Sequence, residues 1–337
     1  MQVDIKTSNI KQLRNTFSHV ARRLGADKPA SRYQEATFDM QSDTNFHYRP
    51  IWDPQFELYD TARTAIKMAD WYSFKDPRQY YYGVYTMNRA KQQDAAEKQF
   101  EFAEKRGVFF NLSEKDKEHL IFAVLPLRHY EWGANMNNCF CTSFGYGAAI
   151  TQATMYNTMD RLGLAQYVSR LGLLLDGNIG DSLEVGKQHW LHTPEWQELR
   201  RSMENLFVTK DWFEVFLAQN FVMDGLVYPM FYKHLETRLN PMAGQTFSMC
   251  TNFMQEWFVE TQRWVDSTIK TAVDESPENK EILSRWFDIW MTETTRALQP
   301  LMTALFAEEA ASIFMQIKEE LLVRAKKIGL KTPGAPA

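Results

Sequence analysis

The sequence predicts an all-α protein, a bundle of long helices, and three observations support this. Apolar residues recur at three- and four-residue spacing through long segments of the 337-residue chain, which is typical of amphipathic helices. No segment shows the alternation of every second residue that half-buried strands require. Helix starts are indicated by four pairs of a capping residue followed by proline, which are Asp53-Pro54, Asp76-Pro77, Thr193-Pro194 and Ser276-Pro277.

The chain is predicted to comprise an N-terminal arm (residues 1–52), a single helical domain (residues 53–330) and a flexible tail (residues 331–337). The arm carries aromatic residues on a segment interrupted by proline, so these side chains cannot form a helical face of their own. We expect them to anchor a partner subunit, or else to wrap the arm around its own bundle. The predicted anchors are Phe38, Phe46, Tyr48, Trp52 and Phe56.

The first helices of the domain are bounded by glycine, serine and proline. The helix that follows Asp76 should end at Gly107, because glycine suits the position after a helix C-terminus. Ser113 should cap the next helix, which Pro126 should kink.

The remaining helices are predicted by the same apolar periodicity. They are a core helix through Met155, Met159 and Leu162 that ends near Leu174, a shorter helix over 181–190, a third long helix from Thr209 that changes direction near Pro229, a fourth over about 247–270, and two last helices over 277–305 and 307–327.

A turn at Gly145-Tyr146-Gly147 should fold two of these helices into a hairpin. Residues equally distant from such a turn face one another across an antiparallel helix pair. Glu131 and Arg161 each lie fifteen residues from Tyr146. We therefore expect these two side chains to meet in the core.

A second hairpin should bring further charges to the same place. A turn eighteen residues after Asp224 would put that residue opposite Glu260. Glu131, Arg161 and Asp224, with either Glu260 or Arg263, are thus predicted to form a buried charge network. A guanidinium with five donors can neutralise carboxylates whose unpaired burial would cost several kcal/mol each. The alternative interpretation is that these carboxylates act as a general acid and a general base.

The same geometry serves carboxylate-bridged di-iron proteins, in which each helix pair supplies one Glu and one Glu-x-x-His, because residues i and i+3 share a helix face. In the first pair the Glu-x-x-His positions hold Arg161 and Leu164, and neither side chain offers a lone pair. In the second pair the replaced positions are either Glu260 and Arg263 or, in another alignment, Thr261 and Trp264. The sequence therefore predicts no metal ligand set and no catalytic residue in this chain.

Histidine spacing elsewhere does not suggest a metal site. Asp116 precedes His119 by three residues, but both lie in the first turn of a helix, where an acidic residue interacts with the helix dipole. His189 and His192 are separated by a helix end, so we expect their rings to point in different directions.

The segment from Ala153 to Gln166 resembles the iron-binding helix of the large hydroxylase subunit in soluble bacterial multicomponent di-iron monooxygenases, and resembles the second, iron-free subunit of that family more closely. The similarity continues through Arg49-Pro-Ile-Trp-Asp-Pro and Trp190-Leu-His-Thr-Pro-Glu-Trp. It covers nearly the whole chain and is greatest for beta subunits of the phenol hydroxylase and toluene monooxygenase type.

This resemblance implies a ferritin-like bundle with extra peripheral helices and no cofactor in this chain. It further implies a di-iron centre in an alpha partner, which would hydroxylate aromatic rings such as phenol, cresols or toluene with O2. Electrons would come from NADH through a reductase with FAD and a 2Fe-2S cluster. The assembly would contain two copies each of alpha, beta and gamma subunits and would bind a small regulatory protein.

Composition excludes several other classes. The net charge is −4 with no basic face, so neither nucleic acid nor an anionic membrane is expected as a partner. The three cysteines lack a CxxC pattern, and no apolar run suits a signal peptide or a membrane helix, which predicts a cytoplasmic protein with free thiols. Two alternatives remain open: a stand-alone ferritin-like metal enzyme with atypical ligands, and a helical adaptor unrelated to oxygenases.

Overall fold

The structure is a computed structural model that describes residues 16–41 and 49–332, and the regular structure in those ranges is entirely helical. The all-α prediction is confirmed. The helices are α1 (Ser18–Leu24), α2 (Arg32–Thr37), α3 (Tyr82–Lys105), α4 (Glu114–Val124), α5 (Leu127–Phe144), α6 (Ala148–Leu175), α7 (Asp181–His192), α8 (Pro194–Val208), α9 (Trp212–Leu217), α10 (Asp224–Tyr228), α11 (Pro241–Glu275), α12 (Pro277–Phe306) and α13 (Ala310–Lys327).

Three capping residues followed by proline begin long helices, and they are Thr193-Pro194, Asn240-Pro241 and Ser276-Pro277. Proline suits the first helical position because its missing N–H would have had no partner there. The fourth predicted long helix, α11, therefore begins several residues earlier than its apolar pattern indicated.

The predictions that helices begin at the Asp-Pro pairs of Asp53 and Asp76 are wrong, because both pairs lie in turns. Each aspartate is bound by an arginine instead of capping a helix. Arg63 Nη1 donates to Asp53 at 2.6 Å, and Arg78 Nε donates to Asp76 at 3.0 Å. The Asp76 carboxylate also accepts the backbone N–H of Arg78 at 2.9 Å, which closes a local turn.

Three other predicted boundaries agree with the structure, whereas α11 ends at Glu275, beyond its predicted end near residue 270. Gly107 follows α3 with φ of 58°, a left-handed value that favours glycine. The Ser113 side chain accepts the backbone N–H of Asp116 at 3.2 Å and caps α4. Pro126 lies between α4 and α5 and divides the long helix into two, as the loss of one backbone donor predicts.

A continuous helical rod carries Asp224 into the bundle. It runs from α9 through α10 and contains two wider π-helical segments, Ala218–Met223 and Pro229–His234, before a 3₁₀ turn at Leu235–Arg238. Such π segments inside α-helices are frequent at functional sites. Asp224 follows directly after the first of them.

The α5–α6 hairpin is the most extensively packed helix pair, and one large apolar core surrounds it. Trp196, Trp212 and Trp264 are among the largest fully buried side chains in that core. Within the ranges that the structure describes, no helix is long and apolar enough to cross a membrane.

The described part of the N-terminal arm packs against its own chain. Val20 and Phe38 belong to the core, with Phe38 only 7% exposed. The hydroxyl group of Tyr33 accepts the backbone N–H of Asp76 at 2.8 Å. The prediction that Phe38 anchors a partner is therefore wrong, because this chain already covers the ring.

The remaining predicted anchors differ from one another. Phe46 and Tyr48 lie outside the described residues. Trp52 is 80% exposed, whereas Phe56 is half-buried beneath the guanidinium of Arg63, 5.1 Å from its ring centre. The division of the chain at residue 52 stays a prediction.

The start of the predicted tail is attached to α12. The backbone N–H of Lys331 donates to Ser284 at 3.0 Å, and Thr332 is buried. Residues 333–337 lie outside the described part of the chain.

Candidate functional site

The α5–α6 hairpin holds the first half of the site in register. Asn135 Nδ2 donates to the Thr158 carbonyl at 2.7 Å, and the hydroxyl groups of Thr142 and Thr154 lie 2.8 Å apart. Gly147, with φ of 84°, begins the second helix in a conformation that other residues rarely adopt. Residues equally distant from the turn therefore face one another.

Arg161 lies between two carboxylates in the core. Its Nη1 donates to Glu131 at 2.9 Å, and its Nη2 donates to Asp224. The three side chains are at most 1% exposed to solvent. The predicted meeting of Glu131 and Arg161 is thus observed, and we refer to Glu131, Arg161 and Asp224 as the ion triad.

Neutral donors saturate the remaining carboxylate oxygens of the ion triad. The Tyr228 hydroxyl donates to Glu131 Oε1 at 2.6 Å, and the Tyr130 hydroxyl donates to Asp224 Oδ1 at 2.7 Å. Gln219 Nε2 donates to the same Asp224 oxygen at 3.0 Å. A buried carboxylate is tolerated only when its lone pairs are satisfied in this way.

Three asparagines from three helical segments form an amide cluster beside the ion triad. Asn157 Nδ2 donates to Asn138 Oδ1 at 3.0 Å, and Asn138 Nδ2 donates to Asn220 Oδ1 at 3.1 Å. Sequence reasoning missed these residues. The available signal was the run of asparagines in the middle of α5, because asparagine is unfavourable in a helix interior unless its amide has a partner.

The environment fixes the protonation of most groups at the site. Burial raises the pKa of Glu131, and Asp224 adds to this effect while Arg161 opposes it. Burial alone would lower the pKa of Arg161, but Asp224 and its other neighbours carry the pKa well above its ordinary value. Burial also raises the pKa of Tyr130 and Tyr228 well above the usual range. The guanidinium and both phenols therefore keep their protons.

The iron that this fold class implies does not fit these residues. The Arg161 guanidinium occupies the space between the two carboxylates, where a shared metal would have to lie, and it cannot be deprotonated to become a ligand. Leu164, at the predicted position of a histidine ligand, is 4% exposed and carries no donor atom. Within the described residues, no group of three or more His, Cys, Asp or Glu side chains could hold a metal ion.

Glu260 belongs to a second charge cluster and not to the ion triad. It accepts the Tyr80 hydroxyl at 2.7 Å and Arg89 Nη2 at 3.1 Å, and Arg89 also pairs with Asp160 at 2.7 Å. Arg263 is exposed. The prediction that Glu260 or Arg263 completes the buried network is therefore wrong.

The error has a geometric reason. Distance from a turn fixes the level of a residue along a hairpin but not the helix face on which it lies. Trp257, Thr261 and Trp264, at spacings of four and three, occupy the inward face of α11. Glu260 lies on another face, towards Arg89 of α3. That Thr261 and Trp264 are replaced ligand positions stays a prediction.

Trp257 connects the two charge clusters, and nothing in the sequence indicated this role. Its ring centre lies 4.7 Å from the guanidinium carbon of Arg161, a cation–π distance. Its indole N–H donates to Asp160 at 2.8 Å. The tryptophan therefore covers the ion triad on the side that faces α11.

A cleft of about 340 Å³ lies beside α6, between α3 and α11. Arg89, Asp160, Leu164 and Trp257 contribute to its lining, but no residue of the ion triad does. A molecule in this cleft would thus be separated from the triad by the Trp257 ring. This arrangement does not support the interpretation of the buried carboxylates as a general acid and base.

The remaining candidates bind different partners, and His119 is half-buried instead of solvated as predicted. Asp116 accepts from the side chains of Ser113 and Asn240 and has no bond to His119. His189 Nδ1 lies 2.9 Å from the Thr193 hydroxyl. The three cysteines, Cys139, Cys141 and Cys250, are free, and burial raises the pKa of Cys250 to about 12.

These observations define a class of protein: a ferritin-like helical bundle whose buried carboxylates are paired with an arginine. The methane/phenol/alkene hydroxylase family model matches residues 52–276. The chain is 46% identical over 334 residues to the phenol 2-monooxygenase oxygenase component DmpL of Pseudomonas sp. (strain CF600), covering 98% of this chain and 99% of that protein. The chain therefore belongs to the methane/phenol/alkene hydroxylase family.

More distant relatives and solved structures agree with this assignment. The hydroxylase component subunit beta of the toluene-4-monooxygenase system of Ectopseudomonas mendocina is 22% identical, with 88% of this chain and 92% of that protein covered. A phenol hydroxylase structure from Pseudomonas sp. OX1 superposes with a TM-score of 0.92 at 41% identity, covering 98% of this chain and 100% of that one. A toluene 4-monooxygenase structure, with a TM-score of 0.74 at 19% identity and 91% and 99% coverage, shares the fold.

Proposed function

We propose that this chain is the non-catalytic beta subunit of the hydroxylase component of a phenol 2-monooxygenase. The observation that carries the proposal is the ion triad, in which a guanidinium neutralises the two carboxylates in place of a metal. Similarity over nearly the full length to an oxygenase component of phenol 2-monooxygenase supports the same function. Membership of the hydroxylase family argues against an adaptor unrelated to oxygenases.

The chemistry would then take place in another subunit. We infer that an alpha partner holds the di-iron centre, that two copies each of alpha, beta and gamma assemble, and that a small regulatory protein docks on them. Electrons would come from NADH through a reductase carrying FAD and a 2Fe-2S cluster. We place the assembly in the cytoplasm, without nucleic acid or membrane partners, in keeping with three free thiols and a net charge of −4. The aromatic substrate would contact the alpha partner.

The turn that carries Trp52 supports a role in assembly. Ile51 and Trp52 are 94% and 80% exposed, next to each other at its tip. The turn is braced, because the backbone N–H of Asp53 donates to the Pro50 carbonyl at 3.1 Å and the Asp53 carboxylate accepts from Arg63. A fixed turn with two bulky apolar side chains is typical of an interface anchor. We propose Trp52 and Phe56, with Phe46 and Tyr48 of the preceding segment, as contacts to the alpha partner.

Reconstitution tests the proposed function. The chain would be purified with the large subunit, the gamma subunit, the reductase and the regulatory protein, and phenol hydroxylation would be measured with each component omitted in turn. We expect hydroxylation to require this chain although the iron is in the large subunit. Full activity without this chain, or activity of this chain alone, would contradict the proposal, and the latter would favour the stand-alone metal enzyme.

A further inference from the structure

Between residues 131 and 166 the α5–α6 hairpin buries its charged side chains, while several of its large apolar side chains are exposed. Between Glu131 and Gln166 the only charged residues are Glu131, Asp160 and Arg161. All three are buried, with exposures of 1%, 8% and 0%. A helix pair that faces water has the opposite arrangement, with apolar residues towards the core and charges towards solvent.

An outward face of this hairpin is apolar and carries no charge of its own. It consists of Trp132 and Met136 on α5, and Met155, Met159 and Leu162 on α6, each between 39% and 53% exposed. Because Glu131 pairs with Arg161 and Asn135 with Thr158, their neighbours on the two helices lie side by side. The sequence pattern predicted Met155, Met159 and Leu162 as part of a core helix, and in the isolated chain they are the part of it that remains uncovered.

Gly163 marks the point at which another backbone can approach this face. A side chain added at Gly163 would have no atom of the described residues within 4 Å of its Cβ. The other glycines inside α5 and α6 are explained by close neighbours: an added Cβ would lie 2.6 Å from Met203 at Gly133 and 2.6 Å from Leu183 at Gly172. A mid-helix glycine is unfavourable relative to alanine, and among the described residues Gly163 has no close neighbour and borders the cleft beside α6.

We infer that the outward face of the α5–α6 hairpin, with Gly163 beside it, binds an apolar, uncharged helix of the large subunit of the same hydroxylase component. This inference rests on the proposed function. An uncharged face favours an uncharged counterpart, because any charge placed against it would lose water without gaining a partner. Methionine and tryptophan are typical of buried interfaces, and methionine adapts its shape to a facing helix.

The relatives support the choice of a large subunit. Several propane 2-monooxygenase relatives are named as the small subunit of their hydroxylase component, which implies a larger subunit in the same component. The exposed apolar residues of α13 are different in character. Met315 and Val323 on α13 lie among Lys318, Glu319 and Glu320, a pattern typical of a solvated surface.

The experiment measures the dissociation constant of the full-length chain and the purified large subunit. Met159→Glu places a charge in the middle of the face, and Gly163→Leu blocks close approach while meeting open space in this chain. We expect each variant to weaken binding roughly tenfold or more. Met315→Glu on α13 is the matched control and should bind as the wild type does. Gly163→Leu should unfold at or above the wild-type temperature, because leucine favours a helix interior more than glycine does, so its loss of binding reports on the interface.

The outcomes separate this inference from the proposed function. If the wild-type chain does not bind the large subunit, the proposed function fails and the inference fails with it. If the wild type binds and both Met159→Glu and Gly163→Leu bind equally well, only the inference is overturned. It is also overturned if the chain alone is a dimer that Met159→Glu converts to a monomer while binding to the large subunit is unchanged, because a second copy then covers the face.

Discussion

Arg161 donates a 2.9 Å hydrogen bond to Glu131, a residue thirty positions earlier in the chain, and its other terminal nitrogen pairs with Asp224. One buried cation therefore serves two buried carboxylates. Tyr130 and Tyr228 supply further donors, so each carboxylate has at least two bonds. Within the triad the guanidinium neutralises both buried acids, and a guanidinium has no capacity for redox chemistry.

Removing the cation should destabilise the fold. Arg161→Leu leaves Glu131 and Asp224 buried without their partner, and we expect the free energy of unfolding to fall by about 3 to 5 kcal/mol. Replacing all three residues of the ion triad with apolar residues should cost much less, because no unpaired charge remains. Urea denaturation followed by circular dichroism measures both changes.

Arg263→Leu is the matched control for this experiment, because Arg263 is an exposed arginine on α11. Its substitution should change the free energy of unfolding by no more than about 0.5 kcal/mol. Equal stability of the wild type and Arg161→Leu would show that the triad does not hold the bundle together.

Two aromatic residues of the predicted arm should behave in opposite ways. Phe38→Ala removes a ring from this chain's own core and should cost about 3 kcal/mol of folding stability. Trp52→Ala should leave the melting temperature unchanged, since the indole is exposed, but should reduce co-purification of the large subunit. Undiminished co-purification of Trp52→Ala would remove the turn from the proposed interface.

The chain should lose stability as the pH falls below 6.5. Burial, with Arg128 and Lys187 nearby, lowers the pKa of His129 from 6.5 to about 4. The unfolded chain then binds a proton near pH 6.5 that the folded chain accepts only near pH 4, so the stabilisation is complete above pH 6.5 and is lost through this window. His129→Phe preserves stacking on Trp190 and should show a weaker pH dependence than the wild type in urea titrations between pH 7 and pH 4.

Matching pH profiles for the wild type and His129→Phe would contradict the assignment to this residue. His119, His189 and His234 also have pKa values lowered by burial, so part of the acid sensitivity should persist in the variant.

The sequence predicted the side-chain pairing in the first helix hairpin correctly but not the pairing in the second. In the first, two glycines fixed the turn and the pairing of Glu131 with Arg161 followed from distance alone. In the second, π segments interrupt the helix that carries Asp224, and α11 begins earlier than predicted. Distance from the turn therefore does not show which helix face a residue occupies, and Glu260 lies in the other charge cluster. The role of Trp257 depends on side-chain contacts between distant helices, which periodicity does not contain. The Asp53-Pro54 and Asp76-Pro77 pairs lie in turns because each aspartate binds an arginine that follows it in the chain, an alternative to helix capping that the Asp-Pro pattern does not reveal.

The iron content of the isolated chain tests the central claim most directly. The chain would be expressed alone in iron-supplemented medium, purified, and measured by elemental analysis beside the reconstituted hydroxylase. The proposed beta-subunit role predicts iron far below one atom per isolated chain, and iron in the assembled enzyme that remains with the large subunit when the two are separated. Iron bound tightly and stoichiometrically to the isolated chain would contradict it.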